Sequence, residues 1–202
     1  MQTKHSYWIF QDVVSEKDRR KIKRVASKSG YKLGTLKSDS HEEGKPAEKK
    51  VRDTDVAFSN SQYLYDIFCP FVHIANKNAG WEYDIDWFES VQIARYKKNQ
   101  HYAWHADGIG DHFGVYPDDA HNNYKGKVRK LSLISCISNG FDGGEFQISV
   151  QNDIDNENST IIPELGEGDV VVFPSFLNHR STPVTKGTKY SVAMWCLGPP
   201  FK

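Results

Sequence analysis

From Val91 onward the chain breaks into short runs of β-branched and aromatic residues punctuated by Gly, Asn, Asp and Pro, and this switch limits the possible folds more than any other feature. The runs lie at 91–96, 102–106, 129–138, 145–150, 170–174, 180–184 and 189–196. None is long enough to bury a core alone, so they must pair, and seven short strands fit a jelly roll, that is, a double-stranded β-helix. Before Val91 the periodicity is helical. Ser15 with Asp18 resembles a capping box, and Ile22, Val25 and Ala26 keep helical spacing up to Gly30. A second helix is expected from near Asn60, with Leu64, Ile67, Phe68, Phe71, Ile74 and Ala75 on one face before Gly80. Pro70 sits inside it, which predicts a kink or two abutting helices. The expected class is therefore mainly β with N-terminal helices (α+β), the helices packed on one sheet. One domain is expected over 1–202, helical to about residue 90 and β-helical after it. The polar stretches 38–53, 108–127 and 151–161 lack periodicity and are expected to be long loops.

Charge narrows the partners. Lys plus Arg and Asp plus Glu both number 26, so the formal net charge is zero and the basic footprint of a nucleic-acid binder is missing. No stretch approaches membrane-spanning length, and residues 1–10 lack the apolar core of a signal peptide. Cys69, Cys136 and Cys196 are widely spaced and form no C-x-x-C pair, so they are expected as reduced, buried thiols of a cytoplasmic protein.

The chemistry concentrates around His105, Asp107 and His179. In an extended segment His105 and Asp107 share a face, and His179 follows a hydrophobic strand that ends in a turn. Two His and one carboxylate suit non-haem iron(II) with open positions, and zinc can use the same ligands. Lys189 lies ten residues after His179, across a hairpin turn expected at 185–188, on a strand whose alternate residues are Ser191, Ala193 and Trp195. It either snorkels to water or stays buried beside the metal site, where it needs an anion.

The segment 94–107, Ala-Arg-Tyr-Lys-Lys-Asn-Gln-His-Tyr-Ala-Trp-His-Ala-Asp, resembles the R-Y-x-x-G-Q-x-Y-x-x-H-x-D signature of the prolyl 4-hydroxylase-like Fe(II)/2-oxoglutarate dioxygenases, with Asn99 in place of the usual Gly. Asp142-Gly143-Gly144-Glu145, the run Gly166 through Pro174, and Gly187-Thr188-Lys189-Tyr190-Ser191 are similar to later parts of the same family, and the likeness covers about residues 59–201. The resemblance implies that His105, Asp107 and His179 hold Fe(II), that 2-oxoglutarate chelates it, and that Lys189 pairs with the 5-carboxylate. Tyr96, Ser191 and Trp195 would line the co-substrate pocket, O2 would be consumed, and ascorbate would serve as reductant. The substrate implied is a proline within a protein or peptide, with a free amino acid or another small molecule as the alternative; Tyr102 and Trp104 are candidates for the groove that receives it. One departure is Cys136, where many relatives place a tyrosine near the 5-carboxylate; a thiol is a weak donor. A metal-binding sensor module without turnover and a zinc hydrolase are the competing readings. Lys189 argues against the first, and the second requires an acid or base beside the metal water that the sequence does not single out.

Overall fold

The computed structural model describes residues 5–34, 49–108, 114–117, 120, 123–151 and 158–201. In chain order the elements are β1 (Trp8–Phe10), α1 (Glu16–Ser29), β2 (Lys32–Leu33), β3 (Arg52–Asp53), β4 (Asp55–Ser59), α2 (Gln62–Asn78), β5 (Trp87–Phe88), β6 (Val91–Tyr96) and β7 (His101–His105). They continue with β8 (Val128–Cys136), β9 (Asp142–Gly143), β10 (Phe146–Gln151), β11 (Asn158–Ile161), β12 (Val170–Pro174), β13 (His179–Ser181), β14 (Val184–Lys186) and β15 (Lys189–Gly198). Among the described residues a large antiparallel sheet runs β1-β12-β8-β15-β6-β4-β2, with β5 also on β15, and a smaller one runs β11-β10-β13-β7-β3. The long strand β15 organises the large sheet. It pairs with β8 along most of its length, with β6 over Lys189–Ala193, and with β5 at Cys196 and Leu197.

Period-two alternation divides the large sheet into two faces. Val91, Ile93, Leu131, Leu133, Val170, Val172, Val192, Met194 and Cys196 point to the helices, where Ile22 and Ala26 of α1 and Leu64, Phe68, Val72 and Ala75 of α2 close the main core. The alternate residues, among them Gln92, Tyr96, Ser132, Lys189 and Ser191, form the other face and are buried although several are polar. The functional residues therefore lie on the face opposite the helices.

The expected architecture holds, with local corrections. α1 is capped as anticipated, the Ser15 hydroxyl accepting from the Asp18 amide. α2 is one continuous helix through Pro70, not two abutting helices: loss of one donor is outweighed by burial of Leu64, Phe68, Val72 and Ala75. That burial also recentres the inward face on Val72, leaving Ile74 45% exposed. The first ninety residues are less helical than expected, because β1, β2 and β4 extend the large sheet and β3 joins the small one. β3 falls inside the stretch expected as the 38–53 loop, of which 38–48 lies outside the described residues. Likewise Asn158–Ile161, at the end of the expected 151–161 loop, pairs with β10. The run at 180–184 is broken by Pro183, which has no amide to donate, and gives β13 and β14. β14 pairs with β9, so the turn before Lys189 does not close a hairpin.

Candidate metal centre

β7 and β13 are antiparallel neighbours in which His105 and His179 are register partners, so the ladder itself sets the two imidazoles together with ring centroids 4.2 Å apart. Asp107 stands two residues beyond the end of β7. Its carboxylate meets both rings, Oδ1 lying 3.7 Å from His105 Nε2 and Oδ2 3.4 Å from His179 Nε2. The three ligand atoms lie within 4.8 Å of one another.

The surroundings suit a cation. His105 Nδ1 lies 2.8 Å from the Ala103 carbonyl and His179 Nδ1 2.9 Å from the Leu177 carbonyl. A carbonyl only accepts, so each Nδ1 carries a proton and each Nε2 is turned to the shared space. Burial, reinforced by neighbouring His179, pushes the His105 imidazole down to about 3, so it is neutral. Burial alone would raise Asp107, but the imidazoles, Arg129 and the Ser132 hydroxyl outweigh it and hold the carboxyl down to about 2. Neutral imidazoles and an ionised carboxylate are the forms that ligate a metal. Ser132 donates to Asp107 Oδ2 at 2.7 Å and shares a 2.9 Å hydrogen bond with Ser175.

Lys189 does not snorkel. It is 5% exposed, and its ammonium donates to the Gly144 carbonyl at 2.6 Å and to the Ser181 hydroxyl at 3.0 Å, two residues along the strand from His179. No carboxylate among the described residues lies within ion-pair distance of it, and burial pushes it down to about 8. Its register partner Tyr96 presents its ring 5.5 Å from the ammonium. Gly144 (φ +65°) makes the approach possible, since a Cβ there would come within 2.9 Å of Val184 Cγ2 and 3.2 Å of Lys189 Cδ. Asn99 adopts φ +69°, the left-handed turn for which Gly is the commoner residue.

The remaining residues singled out in the sequence divide. Ser191 is buried on the same face as Lys189, with Cys136 and Ala94 as register partners. The Cys136 thiol donates to the Ser138 carbonyl at 3.3 Å. Trp195 is half-buried beneath the Arg129 guanidinium, 4.3 Å from the ring centre. Tyr102 stacks on His105 at 3.5 Å, whereas Trp104 is 38% exposed with Arg180 against its ring. Cys136 and Cys196 are buried and Cys69 half-buried.

Sequence reading missed Ser132, Arg52 and the group Arg129, Glu89 and Tyr116. Ser132 was detectable, because a serine between Leu131 and Leu133 points away from the apolar face. Arg52, whose Nη2 donates to Gln92 at 2.9 Å and whose guanidinium lies 4.6 Å from the Tyr102 ring, carries no such signal beside a polar stretch.

Comparison with known proteins agrees with this geometry. The model of the 2OG-Fe(II) oxygenase superfamily matches residues 91–197, a stretch that contains His105, Asp107, His179 and Lys189. A PKHD-type hydroxylase of Idiomarina loihiensis is 31% identical over 105 residues, 52% of this chain and 40% of that protein, so the chain matches well under half the length of this relative. A viral collagen prolyl hydroxylase from Paramecium Bursaria Chlorella virus-1 superposes with a TM-score of 0.63 at 18% identity, covering 96% of this chain and 97% of the other. A prolyl hydroxylase of Trichoplax adhaerens, solved with a hypoxia inducible factor peptide fragment, superposes with a TM-score of 0.70 at 12% identity, covering 95% and 83%. At those identities the structures establish a shared jelly-roll fold, while the family model spans more than half of the sequence, and the chain belongs to the 2OG-Fe(II) oxygenase superfamily.

Proposed function

We propose that the protein is an Fe(II)- and 2-oxoglutarate-dependent hydroxylase whose substrate is a proline within a polypeptide. The observation that carries the reaction class is Lys189, a buried ammonium hydrogen-bonded to neutral partners on the strand pair that bears His179. Such a group calls for an anion, and a dicarboxylate anchored at the metal would provide one. His105, Asp107 and His179 would hold the iron. Lys189 would bind the distal carboxylate, Tyr96 and Ser191 would line its path, and Trp195 would wall the pocket.

Iron(II) with O2 and 2-oxoglutarate supplies the oxidising power, succinate and carbon dioxide leaving as one oxygen atom enters a substrate C–H bond. The chain's own part is to keep the His105 imidazole neutral, to keep Asp107 ionised, and to exclude water from the Lys189 end.

Proline is favoured as substrate by the motif likeness, by the likeness in fold to prolyl hydroxylases, by the zero net charge, and by Tyr102 stacked at the metal site, where a ring without an amide donor can lie against an aromatic wall. The test is mass spectrometry of proline-containing peptides incubated with enzyme, Fe(II), 2-oxoglutarate and ascorbate. One added oxygen on proline is the expected result. Unmodified peptides, together with a free amino acid or another small molecule that gains oxygen and stimulates succinate release, would reject the peptide reading.

A further inference from the structure

Asp107 is the one member of the metal triad that no strand ladder holds. His105 and His179 end and begin paired strands, but Asp107 stands in a bend beyond β7. Its main chain is fixed from two sides instead, the amide donating to the Ser175 carbonyl at 2.9 Å and the carbonyl accepting from Arg129 Nη1 at 3.0 Å. Arg129 is itself clamped. Its Nε and Nη2 donate to the two oxygens of Glu89 at 2.6 and 2.8 Å, and the face of Trp195 lies against the guanidinium. A planar fork held at both ends has no freedom to turn. Glu89 takes one more hydrogen bond, from the Tyr116 hydroxyl at 2.9 Å. Tyr116 belongs to the stretch that follows Asp107, and its backbone is pinned by reciprocal bonds with Lys127 and Gly126 at 2.9 and 3.0 Å.

From this chain of contacts we propose that Arg129 is a positioning residue that sets Asp107 against the two histidines from behind, and that Glu89 and Tyr116 brace it from residues 114–117. The proposal rests on the metal-site reading above. Arg129 hydrogen-bonds the Asp107 carbonyl and not the carboxylate, so beyond the favourable charge it lends that carboxylate it acts by fixing the backbone from which the side chain projects. A lysine in its place keeps the charge but has one compact ammonium, which cannot span Glu89 and the Asp107 carbonyl in a plane.

The experiment is a Co(II) titration without 2-oxoglutarate or O2, followed by the visible d–d absorption of the bound ion, which reports ligand geometry and not turnover. Wild type binds one Co(II), and His179→Ala abolishes the spectrum. Arg129→Lys is expected to weaken Co(II) roughly tenfold or more, the usual effect of losing a group that orients a ligand, and to shift the bands. Tyr116→Phe, which keeps the ring and removes one hydroxyl, should shift the bands the same way with a loss of affinity of about two- to fivefold, within the range of one lost hydrogen bond. Wild-type affinity and spectrum in Arg129→Lys would overturn the proposal and leave Arg129 as a brace of the fold. If Arg129→Lys fails to fold, Tyr116→Phe decides alone, and an unchanged spectrum there overturns it. A wild-type protein that takes up no Co(II) refutes the metal site itself, and is distinguishable because every variant is then silent.

Discussion

An ammonium removed from water is costly unless an anion replaces the lost solvation, and Lys189 has only a carbonyl and a hydroxyl in that place. Binding of a carboxylate there should therefore depend on this one charge. Lys189→Ala is expected to raise the 2-oxoglutarate Kd by roughly 30-fold or more, since losing one member of a buried charge pair costs about 2–5 kcal/mol. Fe(II) affinity in the same variant should change far less; an unchanged co-substrate Kd in an anaerobic titration would assign the anion to another residue. The pH dependence follows in sign. Because Lys189 is held at about 8 in the free protein, the charged form that binds a carboxylate predominates below pH 8. As pH rises through 8 the apparent affinity should fall, by up to about tenfold per pH unit. The Lys189→Ala variant should lack this limb. A wild-type affinity flat from pH 7 to 9 would show that the ammonium takes no part.

At the scale of elements, the Gly143-Gly144 pair, where β9 ends, shapes the Lys189 end of the site. Both glycines are left-handed, at φ +70° and +65°, and Gly144 gives its carbonyl to Lys189. Gly144→Ala would place a methyl against Val184 and the Lys189 stem, and is expected to cost about 1–3 kcal/mol in a strained backbone. It should also weaken 2-oxoglutarate more than iron, measurable by denaturant unfolding alongside co-substrate titration; equal losses would place the turn in stability alone. This turn was legible in the sequence because glycines and acidic residues mark it, as were both helices and six of the seven later strands, the seventh run being split by Pro183 between β13 and β14. Less legible were β1 to β5 and β11. Strands of two to five residues, most of them at sheet edges, hold too few side chains to show a period, and their pairing is set by neighbours distant in sequence. α2 shows the same override, since its contacts with the large sheet decide that Val72, and not Ile74, faces inward.

Across the whole molecule the two faces of the large sheet divide the work. The helix side holds the main apolar core, and the opposite side holds buried ionisable and hydroxyl groups beside a smaller apolar cluster around Val171 and Phe173. His105, Asp107 and His179 could be read from spacing and family likeness because a metal site of this kind draws its ligands from those residue types. Arg129, Glu89 and Tyr116 could not, because they act through contacts between segments 40, 27 and 22 residues apart that leave no local pattern. In the proposed function the triad couples O2 consumption to the oxidation of 2-oxoglutarate. The most direct measurement is anaerobic loading of the protein with Fe(II) and 2-oxoglutarate, exposure to O2, and quantification of succinate beside the His179→Ala variant. Succinate should form only when protein, metal and co-substrate are all present, and should fall to background in the variant. Succinate production that is the same in wild type and His179→Ala, or absent from a wild type shown to hold Fe(II) and 2-oxoglutarate, would contradict it.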